Sequence, residues 1–308
     1  MLQQCKHALK RSDAAVRAVR ATYPALNWIA NRRAVYMRAA PYLAGMEFDE
    51  VRLTGRGNEP EAYLRRTARM VPLSQADLLV IGAGGGAELG LWERQCPRSF
   101  TATDFFSSPE SWGAHPNVRF AQADVRALGF ADASFDLVAS TALFEHVDRV
   151  ADAAREMARV LRPGGVAFAS FGPLYYTYGG AHFDGAYEHV WMTDDEFEAY
   201  LLARAIPCEM EEGLHWMRNG MFSRLRYNDY LSIFRRHFDV DHLVLAVSQP
   251  ALRYKRAHPD AWAGLTRRVA EEDLLTFSMT AWMRPKPGAV VAETAARTPA
   301  RDGATAAA

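Results

Sequence analysis

The sequence predicts an α/β protein built on a doubly wound, mostly parallel seven-stranded sheet, with helices ahead of it and an insertion after the fifth strand. Three observations carry this. Short apolar runs alternate with stretches of helical periodicity between residues 78 and 171. The first run, Leu78-Leu79-Val80-Ile81, is continuously apolar and enters Gly82-Ala83-Gly84-Gly85-Gly86, as a buried parallel strand entering a tight turn does. Two further strand-like segments, 238–247 and 274–282, close the series after a gap of about 65 residues, longer than the connections usual in such sheets.

Residues 1–74 form a helical flank: apolar positions such as Val16, Val19, Leu26 and Ile29 recur at helical spacing. Eight basic side chains but one acid, Asp13, lie among the first 45 residues. A basic amphipathic helix suits a membrane surface, but a solvated helix face is the ordinary reading. After the strand at 78–81 come a helix over 87–95 and a strand over 99–103 that ends at Asp104. A third strand covers 118–121, ending near Asp124, and a fourth covers 135–140. Apolar spacing makes 150–161 a helix, Arg162-Pro163-Gly164-Gly165 breaks it, and 166–171 is the fifth strand. The sheet domain spans 75–284. Within it, 173–220 is a lid, crowded with aromatics and glycines at its start. Thr193 with Glu196 reads as a capping box opening a helix over 193–203. The Ala-, Thr-, Pro- and Gly-rich tail, 285–308, has little to bury and is expected to be disordered.

Composition excludes several classes. The 308 residues carry 36 Lys plus Arg against 36 Asp plus Glu, a balance that argues against a dedicated nucleic-acid binder. Cys5, Cys96 and Cys208 are too few and scattered for a disulfide framework or a CxxC metal site. No apolar run approaches the roughly 20 residues of a membrane span, and the basic start lacks the apolar core of a secretory signal. A cytoplasmic chain without stable membrane insertion is expected; its oligomeric state is not legible.

The chemistry gathers at the glycine turn. Glycines there let the chain reverse sharply and bring backbone N–H groups against a ligand. Asp104, 22 positions after Gly82, closes the next strand beside the same crevice, where a carboxylate accepts hydrogen bonds from ribose hydroxyls. The pair points to an adenosine-type cofactor. Gly82-Ala83-Gly84-Gly85-Gly86-Ala87 also satisfies the dinucleotide pattern, so an NAD(P)-dependent oxidoreductase is a rival.

The strings beyond the turn favour another cofactor. Gln122-Ala123-Asp124-Val125, Ser134-Phe135-Asp136-Leu137-Val138, Leu143-Phe144-Glu145-His146-Val147 and Arg159-Val160-Leu161-Arg162-Pro163-Gly164-Gly165 come in this order. The series resembles the class I S-adenosylmethionine-dependent methyltransferases, in particular the small-molecule branch that includes quinone-biosynthesis enzymes. The resemblance covers residues 75–172 and implies a Rossmann-like fold and S-adenosylmethionine as methyl donor. It implies that Gly82, Ala83, Gly84 and Gly86 pass under the methionine part, and that Asp104 binds the ribose. It gives Asp124 the adenine amino group, with Val125 and Phe105 flanking the ring, and sets Thr141 and Ala142 facing the methyl group. Val80 departs from the pattern, which has an acid there; Glu88 is either a substitute or a first-turn acid favoured by the helix dipole.

The expected reaction is methyl transfer to an oxygen, with nitrogen second, of a small molecule; a non-catalytic scaffold on the same fold is a further alternative. Proton acceptors for a hydroxyl are His182 and His189 in the lid and His146 after the fourth strand. For each, packing as a satisfied histidine is the competing role. His182, Asp184 and His189 match no standard metal-ligand spacing, and no metal is expected.

Overall fold

The computed structural model describes residue 43 and residues 46–54, 60–106 and 115–287. One eight-stranded sheet runs in the order β1-β7-β8-β6-β5-β2-β3-β4. Its strands are β1 (Glu50–Thr54), β2 (Asp77–Ile81), β3 (Ser99–Asp104), β4 (Arg119–Gln122), β5 (Phe135–Thr141), β6 (Leu161–Phe171), β7 (Phe238–Ser248) and β8 (Thr276–Pro285). All neighbours are parallel except β8, which lies antiparallel between β6 and β7.

The seven expected strands are present, and β1 is an eighth. It sits parallel on the outer edge of β7, pairing Glu50 with Val244 through Thr54 with Ser248. Its sequence, Glu-Val-Arg-Leu-Thr, alternates polar and apolar as an edge strand does. The sheet therefore starts inside the segment assigned to a helical flank. Most of that flank, and the tail beyond residue 287, lie outside the described residues.

Period-two alternation distributes each strand between two cores. Leu79 and Ile81 of β2 face one side with Val138 of β5 and Phe171 of β6. Helices α3 (Val150–Val160) and α5 (Tyr227–His237) cover that side. Leu78 and Val80 face the other with Phe168 and Trp282, under α1 (Pro60–Met70) and α2 (Leu89–Glu93). Two buried polar pairs lie within these layers: Trp282 Nε1 donates to Thr67 Oγ1 at 2.9 Å, and Ser170 and Thr280 hydroxyls bond at 2.8 Å.

A third core belongs to the insertion, where Tyr175, Phe183, Phe197, Leu201 and Leu214 pack together. Helix α4 (Asp194–Arg204) begins with the expected capping box, Thr193 and Glu196 each accepting from the other's backbone N–H. Pro207–Glu209, a π turn at Met210–Leu214, and His215–Arg218 continue the insertion. Glu209, 1% exposed, accepts from Arg204 and from Asp184 N–H, tying these pieces together. Among the described residues no helix is long and apolar enough to cross a membrane.

Arg162-Pro163-Gly164-Gly165, expected as a break before the strand, lies inside β6 instead, and Arg162 donates to both Asp77 and Asp136, with Arg98 reaching the same two carboxylates. Asp77 opens β2, so this network staples the end of the sheet opposite the glycine turn.

Candidate functional site

Strand order reverses between β2 and β5, with β3 and β4 to one side and β6 to the other. Open α/β sheets bind ligands beyond the carboxyl ends of strands at such a point. A cavity of about 730 Å³ opens there, within the range of small-molecule sites. Gly82, Asp104, Asp124 and Ala142, which follow or end β2, β3, β4 and β5, all line it.

The glycine turn is shaped for a close-lying ligand. Gly84 has φ +51°, and a Cβ built on it would meet nothing within 4 Å, so a side chain there would project into open space. Gly82 instead packs against Leu143, whose Cδ1 would lie 2.8 Å from an added Cβ. Ala83 and Gly86 do not line the cavity. Ala83 N–H bonds Thr103 O and Gly86 N–H bonds Ala83 O, so both hold the turn's shape.

Asp104 accepts from Gly84 N–H at 2.8 Å and from Phe106 N–H at 2.9 Å. These bonds fix its carboxylate at the cavity wall. Phe105 lines the same wall, with Phe106 edge-on to it at 4.8 Å. Val125 also lines the cavity. Asp124 does too, but its carboxylate accepts from the Arg126 guanidinium at 2.7 Å and from Arg126 N–H. That contact holds its pKa below the usual carboxylate range, and Arg126 reaches on to Asp148.

Thr141 does not face this cavity. It lines a small recess with Glu88, Tyr63, Trp92 and Phe168, while its successor Ala142 lines the main site. Successive strand side chains point to opposite faces, which explains the difference. Burial raises the Glu88 carboxyl, against the hydrogen bond from Thr141.

The far end of the cavity is made by His146, His182, Glu212, Trp216, Asn219 and Met221. His146 and His182 meet with ring centroids 4.8 Å apart, and Trp216 stacks on His146 at 4.3 Å. His189 stands apart. It is 3% exposed, bonded through Nε2 to Tyr175 O at 2.6 Å, and absent from the cavity wall. Burial pushes it down to about 4, so it packs the insertion's core as a neutral ring. Sequence reasoning missed Glu212, Trp216, Asn219 and Met221 as individuals; the one signal was that 173–220 overhangs the crevice.

Residues 79–169 match the methyltransferase domain family. The chain is 34% identical over 112 residues to a malonyl-[acyl-carrier protein] O-methyltransferase of Marinomonas, covering 34% of this chain and 42% of that protein. It is 47% identical over 53 residues to a ubiquinone/menaquinone biosynthesis C-methyltransferase of Azotobacter vinelandii, 17% of this chain and 21% of the relative. It is 32% identical over 117 residues to a phosphatidylethanolamine N-methyltransferase of Cereibacter sphaeroides, 35% and 57% of the two. The matched part thus spans less than two thirds of each relative. Among solved structures, an S-adenosylmethionine dependent methyltransferase from Mesorhizobium loti superposes with a TM-score of 0.45 at 17% identity, covering 72% of this chain and 97% of that one. The match to the methyltransferase domain family thus falls on the stretch that carries the glycine turn and the reversal of strand order.

Proposed function

We propose that this chain transfers a methyl group from S-adenosylmethionine to an oxygen of a small-molecule acceptor. The observation that carries the reading is the juxtaposition of Gly84 and Asp104 on one wall of the cavity. A Cβ at Gly84 would enter the open space, and the Asp104 carboxylate stands at 2.8 Å from the same residue's N–H. A ligand with a ribose and an amino-acid moiety fits such a wall: backbone groups approach the chain, and the carboxylate accepts from ribose hydroxyls.

When bound, the sulfonium donor supplies an electrophilic methyl group, so the protein's work is alignment and, for a hydroxyl, proton removal. Gly82 and Gly84 would lie under the methionine part, Asp104 against the ribose, and Phe105 and Val125 on the adenine faces. Asp124 serves the adenine edge only if Arg126 shares it. The acceptor is assigned to the far end, where imidazoles favour a hydroxyl over an already neutral amine. Nitrogen is the second choice, since the relatives' names span O-, C- and N-methylation.

The test is incubation with radiolabelled methyl donor and a small-molecule extract, followed by mass spectrometry of labelled products. The expected outcome is one or a few labelled methyl ethers or esters. Label on nitrogen alone would overturn the oxygen assignment. No labelled product, with turnover of a nicotinamide cofactor instead, would favour the oxidoreductase rival.

A further inference from the structure

Two imidazoles meet at the acceptor end, but their surroundings differ. His146 donates Nδ1–H to the Met221 carbonyl at 3.2 Å and is stacked on Trp216. Burial, and then the charge of His182, push it down to about 3. So weak a base is poorly matched to proton removal near neutral pH.

His182 is built otherwise. Its backbone sits at φ +56°, a left-handed conformation that costs a non-glycine residue strain and clusters at functional sites. Its Nδ1 lies 3.7 Å from Glu212 Oε2. Its Nε2 is buried with no hydrogen-bond partner, an orphan that calls for one.

Glu212 is brought there by a specific backbone approach. It belongs to the π turn Met210–Leu214, a rare geometry frequent at functional sites. Its neighbour Gly213 packs so tightly that an added Cβ would stand 2.9 Å from Ala181 O and 3.2 Å from His182 O. Only glycine lets this turn close on the His182 backbone.

We propose that Glu212 is the positioning residue of a Glu212–His182 pair in which His182 takes the proton of a hydroxyl acceptor, while His146 forms wall rather than base. The inference rests on the methyl-transfer reading. The acceptor O–H bond breaks, its proton goes to His182 Nε2, and its electron pair stays on oxygen to form the new bond to the methyl carbon, whose bond to sulfur breaks with that pair left on the sulfur of the departing thioether. The Glu212 carboxylate balances the imidazolium until the proton leaves to solvent. The titratable groups facing His182 are Glu212 from the π turn, His146 from the turn after β5, and the buried Glu145 beside it.

The experiment is NMR of isotope-labelled imidazoles in the full chain and in Glu212→Gln and Glu212→Asp. Glu212 is 62% exposed, so both variants should fold, and a thermal melt checks that. Losing the carboxylate should shift the His182 ring resonances, with Glu212→Asp restoring part of the change and those of His146 staying in place. Incorporation of radiolabelled methyl into the same extract should fall in Glu212→Gln and return in part in Glu212→Asp. Unchanged His182 ring resonances in Glu212→Gln, or unchanged incorporation, would overturn the pair. Absence of S-adenosylmethionine-induced shifts in the same samples would sink the methyl-transfer reading while leaving the pair's resonances readable.

Discussion

The two halves of the cavity are made by different means. On the cofactor side Gly82, Gly84, Asp104 and Asp124 each end a parallel strand or lie within three residues of one, so sheet geometry places them. On the acceptor side His182, Glu212, Trp216 and Asn219 come from an insertion with a small aromatic core of its own. On the proposed reading the sheet sets where the donor sits and the insertion shapes the acceptor end. Binding of the cofactor and choice of acceptor should therefore be separable by mutation.

The largest effect should come from Gly84→Val. A Cβ there meets no protein atom within 4 Å and projects into open space on the cavity wall, so S-adenosylmethionine binding should be lost by calorimetry. The left-handed backbone strain costs about 1–2 kcal/mol, a melting shift of only a few degrees for a domain of this size. Unchanged affinity in a folded variant would remove the glycine turn from the site.

Asp104→Ala should weaken cofactor binding by roughly ten- to a hundredfold, since charge-assisted bonds are worth about 1.5–3 kcal/mol each. A loss below about threefold would take Asp104 off the ribose.

Glu145 stands at the seam between the halves, accepting from Gly172 N–H at 2.9 Å, while its backbone carbonyl accepts from Ser223 N–H. Burial raises its carboxyl to about 7. The folded chain keeps the proton where the unfolded chain has lost it, so stability falls as pH rises from about 4.5 to about 7 and is level above. Glu145→Gln should remove that slope, gaining at most about 3 kcal/mol relative to the parent at alkaline pH and little in acid. Denaturant melts at several pH values measure it, and an identical slope in the variant would refute the assignment.

The smallest effect should be Trp216→Ala on cofactor binding, a change below about threefold despite the lost stacking on His146. A larger loss would show that the halves are coupled.

Legibility in the sequence divides along the same line. Leu78 to Ile81 is buried on both faces, so its unbroken apolar run marks a central strand, and the glycines and Asp104 are placed from it. The Thr193–Glu196 capping box is local and equally readable. β1 escapes because a five-residue edge strand buries only Leu53 among its apolar pair and resembles many polar stretches. Thr141 falls one residue short of the cavity wall, since which face a strand-end side chain takes depends on register. For Asp124 the position is legible, but its engagement by Arg126 two residues on is not. In 173–191 the aromatics signal a packed cover without saying which histidine lies inside. Tertiary packing puts His189 in the core and leaves His182 on the cavity wall.

The cavity at the strand-order reversal is proposed as an S-adenosylmethionine site built from Gly84 and Asp104. Calorimetric titration of the full chain with S-adenosylmethionine, repeated with S-adenosylhomocysteine and with NADH, tests it most directly. The expected result is saturable one-site binding of the first two, mutual competition between them, and no heat from NADH. Binding of NADH in their place, or no saturable binding of S-adenosylmethionine by the folded protein, would contradict it.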